Sequence, residues 1–302
     1  MKNLYPKVSL GRFCRLLGVT RQAYYQYFWY REQLSFEEDL IVSEVHRIRK
    51  HHRHMGGRKL YELLQPFLME HQIKMGRDRL FDILSANCLL VRRKKKQTVT
   101  TNFFHRFKKY SNLIKGFIPE GVNQLWVGDI TYWKIEIGFV YIRFITDVYS
   151  RKIIGYYLAD SLQTSETIKA LQMAIRDLPQ DCGSRRLIHH SDRGTQYCSH
   201  DYVKLLKANN IQISMTENGD PLENAIAERI NGIIKEEYLN DYTVENIEEA
   251  RNLLKTVINL YNQERPHMSI GNLTPNQVYQ NNIKTEKLWK NYYVKSPIIV
   301  NQ

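Results

Sequence analysis

Leu125-Trp126-Val127-Gly128-Asp129-Ile130-Thr131-Tyr132 is a run of β-branched and aromatic residues with an aspartate in its middle. Such side chains fill a pleated, half-buried surface, and Asp is depleted there, so the run predicts a strand and singles out Asp129. Working outward, Gly138 marks a turn before Phe139-Val140-Tyr141-Ile142-Arg143-Phe144-Ile145-Thr146-Asp147, and Ile153-Ile154-Gly155-Tyr156-Tyr157-Leu158 is a third run of the same texture. Three strands joined by short turns predict an antiparallel meander. A helix is expected over 164–178, with Ile168, Leu171, Ala174 and Ile175 on its apolar face. Arg186-Leu187-Ile188-His189-His190-Ser191-Asp192 reads as a strand ending in an Arg193-Gly194 turn. Then come a short helix near 200–208, a strand at 211–215, a polar loop Glu217-Asn218-Gly219-Asp220-Pro221, and helices near 223–239 and 245–262. The order βββαβαβα predicts a mixed sheet with helices on both faces.

Three acids stand out within this order. Asp129 sits inside the first strand, Asp192 at the carboxyl end of the fourth, where sites form in open α/β sheets. Glu228 lies on the helix after the polar loop. There Ile226, Ile230, Ile233 and Ile234 make an apolar face, while Asn224, Glu228, Asn231 and Lys235 make a separate polar stripe. A lone Asp in a turn or Glu on a helix is ordinarily just solvated; the weight lies in the set. Mg²⁺ takes hard oxygen ligands, and two such ions about 4 Å apart can activate an attacking hydroxyl and stabilise the leaving oxygen of a phosphodiester. Three converging carboxylates would repel one another without metal.

The whole chain has 302 residues, 44 Lys+Arg against 31 Asp+Glu, and 43% hydrophobic content. A disordered or fibrous protein is excluded. No apolar run reaches the ~20 residues of a membrane span, and the first residues lack the apolar stretch of a secretory signal. Cys14, Cys88, Cys182 and Cys198 form no CxxC pair, which argues against a disulfide framework or Cys-rich zinc site and fits a cytoplasmic protein. His51, His52 and His54 likewise have no CxxC partner, so zinc is not expected. Residues 1–115 hold 24 Lys/Arg and 9 Asp/Glu, a balance of +15, whereas residues 116–302 hold 20 and 22. Such a block is attracted to phosphate backbones, the alternatives being a solvated surface or a patch for anionic lipid.

Within that block, Leu10, Phe13, Leu16 and Leu17 recur at helical spacing, Gly18 breaks the helix, and Thr20 can cap a second one carrying Arg21, Gln22, Tyr24 and Tyr25. This is a helix-turn-helix outline, or an ordinary helical hairpin, with Arg21 and Gln22 placed to meet DNA. Further helices follow over 36–90, ending in Arg92-Arg93-Lys94-Lys95-Lys96, a run suited to gripping phosphates. The expected divisions are a helix-turn-helix-like region at 1–34, a helical DNA-binding region with a basic end at 35–97, a linker at 98–119, a catalytic core at 120–280 and a tail at 281–302.

Between Asp192 and Glu228 lie 35 residues. With Asn123 to Tyr132, His189 to Tyr197, Glu223-Asn224-Ala225-Ile226-Ala227-Glu228, Tyr261-Asn262-Gln263-Glu264-Arg265-Pro266-His267 and Thr274-Pro275, this resembles the Asp, Asp, 35-residue gap, Glu signature of integrase-core transposases and retroviral-type integrases. The nearest resemblance is to the second-reading-frame transposases of bacterial insertion sequences, and it runs from residue 8 to about 280. It implies an α/β RNase H-like catalytic core, preceded by an all-α helix-turn-helix region. It also implies Asp129, Asp192 and Glu228 as a triad holding two Mg²⁺ or Mn²⁺ ions, and strand cleavage and transfer at the ends of a mobile element. The implied partners are terminal inverted-repeat and target DNA, a second copy of the chain, and an upstream-frame protein or fusion.

Two positions depart from the family pattern: Gly128, where a polar residue usually precedes the first Asp, and Glu223, where Asp is usual. His190 would share a strand face with Asp192, as an active-site support or through a structural hydrogen bond. Asn224 is a second supporting candidate. Arg193, Lys235 and Arg265 are expected either at DNA phosphates or in ordinary surface pairs. Trp126 and Tyr132 read as sheet-face core rather than base-stacking platforms, and His267 reads as an anchor for the last helix. A DNA-binding regulator would need only the basic third and would leave the acids unexplained. A metal-dependent nuclease without strand transfer uses the same carboxylates.

Overall fold

The computed structural model describes residues 8–91, 106–178, 187–217, 224–286 and 288. The chain folds as two units, one of residues up to 51 together with 56–91, the other of residues 52–55 and everything beyond 91 that is described.

The first unit is all-helical: α1 Leu10–Leu16, α2 Arg21–Arg49, α3 Gly57–Glu70 and α4 Arg77–Ala86. Gly18 takes a φ of +68° and the Thr20 hydroxyl accepts the Ala23 N–H at 3.0 Å, so the expected break and cap are both present. Ile41, Val45 and Ile48 of α2 pack with Leu60, Leu64 and Leu68 of α3 and with Leu80, Ile83 and Leu84 of α4. α2 runs unbroken across residues 34 and 35, where the sequence reading divides two regions. Its 29 residues contain no Gly or Pro, so nothing in the chain stops it there.

The second unit is built on a five-stranded sheet of β1 Leu125–Ile135, β2 Gly138–Asp147, β3 Ile153–Ala159, β4 Ile188–Ser191 and β5 Gln212–Met215. The strand order is β3-β2-β1-β4-β5. The first three strands are antiparallel, and β4 and β5 run parallel to β1, which is the RNase H-like arrangement. β4 pairs with β1 only from Leu125 to Gly128, so β4 leaves the rest of β1 uncovered on that edge. α5 Thr164–Arg176, α6 Thr195–Cys198 and α7 His200–Ala208 contribute to the hydrophobic cluster of one face, around Trp126, Ile145, Leu171 and Tyr202. α8 Ala225–Ile233, the π-helical turn Ile234–Leu239 and α9 Ile247–Glu264 contribute to the other, around Trp133, Ile142, Phe144 and Tyr261. The single helix expected near 200–208 is preceded by the short α6, and the helix expected over 223–239 changes to π geometry at Ile234. A 3₁₀ turn at Met268–Ile270 leads to α10 Pro275–Asn281, which opens on a Thr274–Gln277 capping box.

Two close packings set the frame. A Cβ on Gly155 would collide with the Ala170 carbonyl oxygen, so β3 and α5 approach as closely as a glycine allows. The described part of the expected linker lies on the sheet. Leu113 N–H donates to Ser214 Oγ at 2.9 Å, Met215 N–H to the Ser111 carbonyl at 3.4 Å, and Tyr110 and Ile114 pack onto buried clusters.

Candidate active site

Asp129 lies on β1, in the alternation that sends Thr131 and Trp133 to the α8 face. Its Oδ1 accepts the Ile130 N–H at 2.9 Å and its Oδ2 accepts the Asn231 side-chain amide at 2.6 Å. Burial, and then the charges of Asp192 and Glu228, push its carboxyl up to about 8, against the opposing pull of the two hydrogen bonds. Asp192 follows β4 directly, and its Oδ1 accepts the Gly194 N–H at 2.9 Å, so the Gly194 turn holds the carboxylate. Glu228 stands exposed in the first turn of α8. The fold thus brings Asp192 and Glu228, from two other elements, into electrostatic range of Asp129.

The donor set is one of hard oxygens. Besides the carboxylates, the buried Asn224 and Asn231 side chains each carry an amide oxygen without a hydrogen-bond partner among the described residues. These groups fit a hard divalent cation, whose charge would relieve the repulsion that raises Asp129. Among the described residues no three such acidic, His or Cys side chains form a closed ligand cluster.

Asn231 is the residue the sequence reading passed over. It shares the polar stripe of Glu228, three residues on, but an Asn on a polar helix face reads as solvated; only the fold shows it 7% exposed and bonded to Asp129. Asn224 is the N-cap of α8 and its side chain makes no capping bond. His190 is fully buried, with Nδ1 2.8 Å from Ser214 Oγ. His189 sits on the opposite face with Nε2 3.0 Å from the Tyr202 hydroxyl oxygen, and is driven by burial down to about 3. It also explains Gly128: a Cβ there would lie 3.0 Å from His189 Nε2 and 3.2 Å from Tyr197 Cε1, so these rings fill the space a side chain would take.

The basic candidates divide. Arg21 and Gln22 are exposed at the start of α2. Arg193 is half-buried beside Asp192. Lys235 places Nζ 4.3 Å from the Tyr132 ring centroid and 3.4 Å from Thr131 Oγ1. Arg265 is a correction: it is fully buried, with Nε and Nη2 donating to the two Glu237 carboxylate oxygens at 2.8 and 2.7 Å and Nη1 2.8 Å from His267 Nε2. A guanidinium so saturated serves the core, not a phosphate. His267 anchors the following turn as expected, pairing backbone to backbone with Leu273. Trp126 is fully buried, whereas Tyr132 is only half-buried, contrary to its reading as core. Arg92–Lys96 and Glu223 lie outside the described residues.

Two family models, both described as integrase core domain, match residues 119–221 and 209–275. An insertion element IS600 protein of 31 kDa from Shigella sonnei is 34% identical over 266 residues, covering 87% of this chain and 95% of its own. The transposase InsF for insertion sequence IS3A of Escherichia coli K12 is 28% identical over 289 residues, covering 91% and 95%. Among solved structures, the HTLV-2 integrase catalytic core in complex with magnesium aligns with 52% of this chain and 96% of its own, at a TM-score of 0.41 and 22% identity. No described helix is long and apolar enough to cross a membrane.

Proposed function

Because the chain belongs to the integrase-core family of insertion-sequence transposases and is a polynucleotidyl transferase, we propose that it cleaves and joins DNA strands at the ends of a mobile element, with Asp129, Asp192 and Glu228 as its metal-binding triad. The observation that carries this reading is the arrival of Asp192 after β4 and of Glu228 on α8 within electrostatic reach of Asp129, whose Oδ2 is held by Asn231 of the same α8. Two Mg²⁺ or Mn²⁺ ions held by these carboxylates would supply the positive charge that activates the attacking oxygen and stabilises the leaving one.

The chain's own groups do the rest. Asn231 and the Ile130 N–H aim the two Asp129 oxygens, and the Gly194 N–H fixes one oxygen of Asp192. Glu228, exposed on α8, is the acid free to close on the substrate side. The attacking group is water in cleavage and a DNA 3′-hydroxyl in joining, in line with the scissile phosphorus. The basic first unit, with Arg21 and Gln22 exposed, holds the element end, and Lys235 and Arg193 receive phosphates near the acids. Synapsis of two ends calls for at least two copies of the chain.

The test is cleavage and joining of labelled element-end DNA with Mg²⁺ or Mn²⁺, comparing wild type with Glu228→Gln. Joined product made only by the wild type with metal is expected. Equal product from both proteins overturns the triad, and cleavage never followed by joining makes the protein a nuclease.

A further inference from the structure

We infer that the β1–β2 hairpin carries a stacking site for an unpaired nucleobase, built from Tyr132 and Phe139 on the sheet face opposite Asp129 and linked to the acid site by Lys235 round the edge of β1 that β4 leaves uncovered. The inference rests on the reading of the chain as acting on DNA. Phe139 is 54% exposed and Ile137, in the turn, 69% exposed, although both are apolar. The Tyr132 and Phe139 rings meet edge to face at 5.6 Å, so each buttresses the other and neither collapses into the core. Lys235 stands at the join: its Nζ lies over the Tyr132 ring and also reaches Thr131, two residues from Asp129. β4 stops pairing at Gly128, so no β4 pairing blocks a path along the β1 edge from Asp129 to Tyr132.

A strand leaving the acids along this edge meets an ammonium for its phosphate and an exposed ring for its base. That is the combination of cation and aromatic platform that holds single-stranded nucleic acid without reading its sequence. Exposed Lys134 adds a second cation in register with Phe139, while the neighbouring Glu136 and Glu236 keep the patch from being uniformly basic. The contact therefore depends on stacking more than on charge. Strand alternation hides the platform from sequence reading, because Tyr132 falls in the same β-rich run as the fully buried Trp126.

The experiment uses the full chain and a Phe139→Trp reporter. Added oligothymidylate of twelve nucleotides is expected to quench the fluorescence beyond the quench seen in wild type, and an abasic strand of equal length is expected not to. Phe139→Ala should weaken binding of the thymidylate strand by about 5- to 150-fold, the range for one lost stack, while Phe139→Tyr retains it. Equal quenching by the abasic strand overturns the proposal in favour of a phosphate contact. Saturable binding without added quench places the strand elsewhere. A dimer that sediments as monomer in Phe139→Ala, with DNA affinity intact, makes the patch a protein interface. Strand joining by wild type is measured alongside: its absence with the quench present sinks transposition and leaves the stacking site standing.

Discussion

Asn231 shows what one side chain decides. A single amide hydrogen bond of 2.6 Å holds Asp129 Oδ2, while the amide oxygen itself is buried without a partner. Asn231→Ala is expected to lower strand joining by about 10- to 100-fold, the usual effect of losing a group that orients a metal ligand, with the thermal unfolding midpoint nearly unchanged; a joining rate equal to wild type would remove Asn231 from the site. His189 gives a stability prediction instead. Its folded value is depressed to about 3 from 6.5, so the unfolded chain takes the proton first as pH falls. The stability tied to neutral His189 is intact above 6.5 and is lost between 6.5 and about 3, at up to about 1.4 kcal/mol per pH unit. Urea titrations across that window should show a flatter dependence in His189→Gln than in wild type. Asp129 was legible in the sequence because an aspartate inside a β-rich run is unusual. Arg265, expected at a phosphate or in a surface pair, is instead buried on Glu237, a partner 28 residues earlier that spacing alone does not reveal.

At the scale of elements, the strands and their succession along the chain were legible because β-branched and aromatic runs are bounded by turns, whereas the order β3-β2-β1-β4-β5 within the sheet came from the structure. The π-helical turn Ile234–Leu239 was not, since an apolar stripe of Ile230, Ile233 and Ile234 reads equally well as uninterrupted α-helix. That turn carries Glu237 to Arg265 and Tyr238 into the core. Arg265→Ala would strand Glu237 and is expected to cost about 3–5 kcal/mol, read as a fall in the denaturant midpoint, with the salt dependence of DNA binding unaltered. The contact of β3 with α5 offers a sharper case. Gly155→Ala forces a methyl group against the Ala170 carbonyl, and a loss of about 1–3 kcal/mol is expected from overpacking. A wild-type midpoint in that variant would mean that α5 can slide away from the sheet. Gly128 was read as a departure from the family; the structure makes it a packing choice, with His189 and Tyr197 occupying the room.

For the whole molecule, the division of charge is the dominant feature: +15 in residues 1–115 and near neutrality after them. DNA affinity should therefore fall steeply with salt, and replacing Arg92–Lys96 by glutamine should reduce the slope of log K against log salt by about 4.5 if all five neutralise duplex phosphates. An unchanged slope would show that the run does not touch DNA. The long α2 would set the spacing of that unit's contacts if, as proposed, it holds the element end. At ~1.5 Å per residue its 29 residues span about 43 Å, and some 30 Å separate Arg21 from the buried Ile41. That interval is close to the ~34 Å rise of one duplex turn. A helix carries angle as well as length, so if the first unit grips DNA through Arg21, α2 would act as a ruler with a fixed phase. Removing seven residues between Arg21 and Ile41 would shorten it by about 10 Å and leave its tip facing nearly the same way, whereas removing two would swing the tip through roughly 200°. Variants of the first kind should prefer element ends whose contacted sequences lie closer together by about three base pairs, and variants of the second kind should lose the ends altogether.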